Sequence, residues 1–356
     1  MIKWLTYSFL LFLVLTACEE IYTPEIESRE GVLVADARIV VGQPDNFIRL
    51  YESRDFNDDD NTYPNVKGAK VSITDNKGFE IKLNESSDGL FPVDFILNPN
   101  LEYKIIIVYQ GNTYESWYEP VPQIPDLDSV YGEAGTSFIK QSANNNVDEI
   151  AEISGVYLYG DILHEKELPY YRFTSRKVLQ YTYSVLVGEV EENVFAWSSS
   201  YPKEIFNIAS PHMFSSSTEI IKHPLSFLIQ KPYTGPDTHF DGWILILYQF
   251  GLSESAYNYY DDLNKQLDAQ GRLFDPLYVQ ARSNLRCTNN EDQLILGNFE
   301  ISSVKEFRYF VQYIPYQKDY IIKPIPYFYE IPFSGYQIGF PPDFWESASK
   351  YYPDEE

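Results

Sequence analysis

From Gly31 to about Glu119 apolar and polar residues alternate with a period close to two, the pattern of strands that bury one face. Val32, Val34, Ala37, Ile39 and Val41 begin it. Gly42-Gln43-Pro44-Asp45 then makes a turn into Phe47, Ile48 and Leu50. Val71 and Ile73 alternate with polar neighbours before Asp75-Asn76-Lys77-Gly78, and Ile81 and Leu83 return. Tyr103 to Tyr109 is rich in β-branched residues, and Gln110-Gly111-Asn112 turns it into Thr113 to Trp117. About seven short strands with regular turn signals predict an immunoglobulin- or transthyretin-like β-sandwich over residues 31–119.

Pro120, Pro122 and Pro125 punctuate the next stretch, which reads as a stiff extended linker because proline cannot sit in a central strand. Residues 132–149 are polar and include Asn144-Asn145-Asn146, so the region 120–149 is predicted as linker and loop. Residues 150–356 read as a second β-rich domain. Its predicted strands lie at 156–159, 170–173, 178–187, 244–248, 293–296, 299–303 and 308–314. One segment changes period. Ala256, Tyr260, Leu263 and Leu267 fall on one helical face of residues 253–270. Ser253 suits the cap, Glu254 the positive first turn, Gly271 the stop, and Asp261 pairs with Lys265 at i,i+4. Residues 313–345 are dense in proline and aromatics and predict ordered loops wrapping the body. The fold class is therefore mainly β, an N-terminal sandwich followed by a β-rich domain with one helix.

The first residues change the picture. Residues 1–17 carry one charge, Lys3, and the unbroken apolar run Phe9–Leu15. That run is too short to span a bilayer and fits a secretory signal. Leu15-Thr16-Ala17-Cys18 looks like a bacterial lipobox, which predicts cleavage before Cys18 and a fatty-acylated N-terminus. Residues 18–30 then form a tether. Glu19 and Glu20 read either as a surface-export signal or as two solvated acids on that tether. With Cys18 acylated, Cys287 has no disulfide partner and is expected to be a small buried hydrophobe. The formal charge is −25, and removal of residues 1–17 takes away only Lys3 and leaves −26. A nucleic-acid partner is excluded, because phosphates need a basic surface. An aromatic content of 17% excludes bulk disorder.

Candidate chemistry is sparse. His164, His212, His223 and His239 have no zinc spacing, so no metal and no cofactor is expected. Asp58-Asp59-Asp60-Asn61 offers hard oxygens for calcium but lacks the glycine and terminal glutamate of an EF-hand, which leaves a solvated acidic loop as the default. No nucleophile-elbow, phosphate-loop or dinucleotide motif occurs, so an enzyme is not expected. The most suggestive residues are the C-terminal aromatics Tyr327, Tyr329, Phe333, Tyr336, Phe340 and Trp345. They either contact a ligand or partner or fill space between sheets.

The segments GVLVADARI, VKGAKVSITDNKG, LNESSDGLF, YKIIIVYQGNTYES and VPQIPDLDSVYG, and later LSESAYNYYDDL, GRLFDPLYVQARSNL and DQLILGNFEISSV, resemble the Bacteroidota lipoprotein family catalogued as domain of unknown function 4249. The resemblance implies an outer-membrane lipoprotein at the cell surface. Its implied partner is a TonB-dependent, starch-utilisation-type receptor or another β-barrel, which it would assist in ligand capture or assembly. The alternative is a stand-alone glycan- or peptide-binding surface protein. The resemblance supplies no catalytic residues.

Overall fold

A computed structural model describes residues 31–54, 62–123, 127–142, 148–163, 170–202, 206–213, 219–232, 238–268, 281–315, 317–326 and 329–351. The first elements are β1 (Leu33–Val41), β2 (Phe47–Glu52), β3 (Lys70–Asp75), β4 (Glu80–Leu83), β5 (Leu90–Pro92), β6 (Glu102–Tyr109), β7 (Asn112–Ser116) and β8 (Glu119–Pro120). Longer strands follow: β9 (Ser129–Ser142), β10 (Asp148–Leu163), β11 (Tyr170–Val187), β12 (Val190–Ser200), β13 (Asn207–Ala209), β14 (Glu219–Ile229) and β15 (Thr238–Leu252). The helix α1 (Glu254–Asp268) precedes β16 (Leu285–Cys287), β17 (Ile295–Ile314), β18 (Asp319–Pro324), β19 (Ser334–Ile338) and the short α2 (Ala348–Tyr351).

These strands build three sheets. The largest has ten strands in the order β19-β12-β11-β15-β17-β1-β2-β5, with β13 on β11 and β18 on β17. A six-stranded sheet runs β16-β7-β6-β3-β4 with β8 on β6, and a three-stranded sheet runs β14-β10-β9. Successive side chains of a strand point to opposite faces, and this divides the cores. One face of the large sheet carries Ala35, Ala37, Ile48, Leu50, Phe299 and Ile301 against Val71, Ile73, Ile105, Ile107 and Tyr114 of the six-stranded sheet. Farther along, Leu245 and Val311 pack on Val156, Leu158 and Leu228 of the three-stranded sheet. The opposite face is covered by two non-sheet pieces. Helix α1 packs Ala256 and Tyr260 against Tyr170 and Leu252. The C-terminal segment packs Ile325, Ile331 and Phe344 against Val178, Ile244, Ile246 and Phe310.

The chain is mainly β, as its alternation predicts. Several boundaries differ. The sandwich of residues 31–119 is completed by strands from the far end of the chain. β17 pairs with β1 in parallel from Leu33↔Ile295 to Val41↔Ser303, and β16 pairs with β7. The strands read at 293–296, 299–303 and 308–314 are one continuous strand, β17, and those at 170–173 and 178–187 are one strand, β11. The loop expected at 132–149 is instead largely strand: β9 pairs with β10 from Ser129↔Asp161 to Ser142↔Asp148. Its glycines and polar residues hide the alternation, and pairing to β10 supplies what its own propensity lacks. The expected C-terminal loops contain β18, which pairs with β17, and β19, which pairs with β12.

The helix forms where its period predicts. Ser253 caps it, accepting at Oγ from the Ala256 amide at 3.3 Å, and Lys265 bonds Asp261 at 2.5 Å. Ala256 and Tyr260 are buried, but Leu267 on the last turn is exposed. Gly271 lies outside the described residues. Cys287 is a buried free thiol.

Candidate functional site

The junction of β1 and β17 holds a polar cluster under α1. Ala35, Ala37 and Ile39 point into the sandwich, so Asp36 and Arg38 point the other way, as do Asn298, Glu300 and Ser302 beside Phe299 and Ile301. The parallel register sets Asp36 opposite Asn298 and Arg38 opposite Glu300. Gly297 permits this close pairing. It has φ +92°, and a Cβ there would lie 2.0 Å from the Ala35 carbonyl oxygen.

Helix α1 roofs the cluster. The Tyr260 hydroxyl donates to Glu300 Oε2 at 2.6 Å. Arg172 Nη2 lies 3.9 Å from Glu300 Oε1, and its guanidinium lies over the Phe250 and Tyr260 rings at 4.2 and 5.0 Å. Arg38 grips Asp36 through Nε at 2.9 Å and Nη2 at 3.3 Å. Burial, reinforced by the Glu300 charge, pushes the Tyr260 phenol well above its ordinary range, so it stays protonated as a donor. Burial opposes the Arg38 charge, but Asp36 outweighs it and keeps the guanidinium charged.

A cavity of about 230 Å³ opens here, lined by Asp36, Arg38, Tyr51, Tyr259, Asn298 and Glu300 among others. Two carboxylates, Asp36 and Glu300, are matched by two guanidiniums, Arg38 and Arg172, so the site is close to neutral. Asn298 is only 6% exposed, and neither of its amide atoms has a hydrogen-bond partner among the described residues. Nearby Asn284 is the counterexample. Its amide accepts from the Phe299 N–H at 2.9 Å and donates to Phe299 O at 2.7 Å and to Glu119 at 2.8 Å. Glu119 also accepts from Ser255 at 2.6 Å beside the start of α1. Burial raises its carboxyl pKa, against the bonds from Ser253, Ser255 and Asn284 that lower it.

The C-terminal aromatics are placed differently from one another. Tyr329, Phe333, Tyr336 and Phe340 are exposed, the last at 80%. Trp345 is half-buried, edge-on to Phe195 at 5.3 Å, and so serves packing. Tyr327 lies outside the described residues. Trp197, Tyr329, Glu330, Gln337, Asp343 and Phe344 border a cleft of about 450 Å³. β19 is the edge strand of the large sheet, and the neighbouring β11–β12 hairpin tip exposes Leu186, Val187 and Val190. Exposed hydrophobic side chains thus occur both on the edge strand and at the neighbouring hairpin tip, where Glu189, Glu191 and Glu192 lie among them.

The remaining sequence candidates are quickly placed. Cys18, Glu19, Glu20, the acidic run Asp58–Asn61 and His164 lie outside the described residues, as does the side chain of His212. His223 is buried with Nε2 2.6 Å from Asn207 Oδ1, and His239 is exposed beside Asp241 at 3.5 Å. Among the described residues no three metal-ligating side chains converge, and no helix is long and apolar enough to cross a membrane. Sequence reading passed over Asp36, Arg38, Asn298 and Glu300. The available signal was polar residues at alternate positions inside Val-Ala-Asp-Ala-Arg-Ile-Val and Gly-Asn-Phe-Glu-Ile-Ser, which a solvated strand face produces equally well.

The family model described as Domain of unknown function (DUF4249) matches residues 19–308, a span that includes every cavity residue named above and ends before β18 and β19. No curated protein and no solved structure matches the chain.

Proposed function

The chain belongs to the family described as domain of unknown function (DUF4249), and from that premise we propose that it is a lipid-anchored accessory protein of the outer membrane. In this reading Cys18 carries the anchor and the β-rich body stands at the cell surface. The body docks on a β-barrel, a TonB-dependent receptor of the starch-utilisation type or another barrel, and assists ligand capture or assembly. The observation that carries the reading is the free rim formed by β19 and the β11–β12 tip. Tyr336, Ile338 and Phe340 are exposed on or just beyond the first and Leu186, Val187 and Val190 on the second. Exposed apolar side chains concentrated at a sheet edge suit an interaction surface, and a strand edge without a partner among the described residues offers backbone groups to another β-chain. Tethering confines the body to the membrane plane and raises its effective concentration near a barrel. The acidic surface limits adhesion to anionic headgroups.

Capture of the tagged lipoprotein from detergent-solubilised outer membranes tests this. A barrel should co-purify with wild type and be lost with the double substitution Tyr336→Ser and Phe340→Ser. Recovery of the lipoprotein alone counts against the proposal. Cys18→Ser should leave the chain out of the membrane fraction.

A second reading, stand-alone glycan or peptide binding, draws support from the cleft near Trp197, whose buried indole Nε1 has no hydrogen-bond partner among the described residues. Tyr329→Ala is the informative variant on a glycan array, since Tyr329 borders the cleft and is exposed, whereas Trp345 packs on Phe195.

A further inference from the structure

We propose that the cavity between α1 and the β1–β17 pair is a binding site for one neutral carbohydrate ring. The first ground is the Asn298 amide, nine-tenths buried, lining the cavity, and unpartnered at both atoms among the described residues. Buried amides are normally bonded, and Asn284, fourteen residues upstream, is bonded through both its oxygen and its nitrogen. An enclosed, unbonded amide offers N–H donors and a carbonyl acceptor side by side. A hydroxyl both donates and accepts, and adjacent ring hydroxyls present that pattern repeatedly.

Charge is the second ground. Asp36 is held by Arg38 through two hydrogen bonds, and Glu300 faces Arg172 while accepting from Tyr260. An entering cation or anion would meet no unmatched countercharge and would have to break one of these pairs. A neutral polar molecule can use the remaining lone pairs and N–H groups without doing so. Glu300 Oε1 is among them, buried and without a hydrogen bond among the described residues.

Size and walls are the third. About 230 Å³ lies below the range of pockets that take drug-sized ligands, and so suits one small ring. Tyr51, Tyr259 and Phe206 border the cavity with aromatic surface, which suits the C–H face of a sugar. Arg38, with about half of its side chain exposed, stands at the opening. The site is four strands along the large sheet from β19, and the inference stands whether or not the rim docks a barrel.

Titration calorimetry on the whole lipoprotein tests it, in a detergent without a sugar headgroup. The probes are glucose, galactose, mannose, xylose, fucose and N-acetylglucosamine, with glycine, acetate and urea as controls. At least one sugar should give saturable heat, and Asn298→Leu should weaken it by about tenfold or more. The same variant should melt no lower than wild type, because an amide serving only the fold would lower the melting temperature when replaced. Arg38→Met, at the half-exposed rim, should also weaken binding and keeps the test open if Asn298→Leu does not fold. The proposal is overturned by absence of saturable heat from every sugar. It is equally overturned if both variants bind like wild type, or if glycine, acetate or urea binds in place of the sugars.

Discussion

Asp36 and Asn298 are direct partners in the parallel β1–β17 pair, yet the Asp36 side chain bonds Arg38 while the Asn298 side chain bonds nothing among the described residues. The two polar side chains share a face and a cavity, and only one is satisfied by the fold. An unsatisfied buried amide costs about 1–3 kcal/mol. Asn298→Leu should therefore hold or raise stability, by about 1 kcal/mol, in urea unfolding followed by circular dichroism. A loss of 2 kcal/mol would mean that the amide is bonded in the native protein.

Tyr260 carries the opposite expectation. Its hydroxyl bonds the Glu300 carboxylate inside the roof of the cavity. Tyr260→Phe leaves a buried carboxylate short of a donor, with Arg172 at 3.9 Å as its remaining charged neighbour. A loss of about 1.5–3 kcal/mol is expected. Combining it with Glu300→Gln should recover part of that loss, which a double-mutant cycle reads directly.

The pH response should centre on His223. Burial lowers its pKa from 6.5 to about 4, so the folded chain keeps the ring neutral where the unfolded chain would take a proton. Above pH 6.5 both states are neutral and the residue contributes no pH dependence. Between pH 6.5 and 4 the unfolded state binds more proton, and stability falls as the pH falls, by on the order of 3 kcal/mol at the lower limit. Unfolding midpoints measured from pH 7.5 to 4 should show that decline, and His223→Asn should flatten it. An unchanged slope in the variant would assign the acid sensitivity elsewhere.

Gly297 tests the junction itself. Alanine there would adopt a left-handed backbone and set its Cβ against the Ala35 carbonyl. Gly297→Ala should cost more than about 2 kcal/mol. Gly188, which also has positive φ but open space around it, should tolerate alanine with a smaller loss. Equal losses at the two sites would show that strain, not the close strand approach, sets the cost.

Local pattern was enough for the short strands and the helix. Val71 and Ile73 alternate against polar neighbours and form β3, and Ser253 with the four-three-four spacing of apolar residues marks α1. Those signals are written within a few residues of each other, where side-chain direction follows backbone period. β9 escaped because its glycines and polar residues carry no alternation, and its strand exists through pairing with β10.

The sequence by itself determined a β-rich chain, the one long helix among the described residues, and the burial of Cys287. The tertiary structure alone decided that β1 and β17, some 260 residues apart, lie side by side in register. It alone set α1 over Asp36, Arg38, Asn298 and Glu300, and left Tyr336 and Phe340 on an open rim while Trp345 packs inward. The reason is physical. Period reports which way a side chain points relative to its own strand, whereas burial depends on what arrives from elsewhere in the chain to cover that face. A polar residue on a strand reads identically whether water or a helix lies above it.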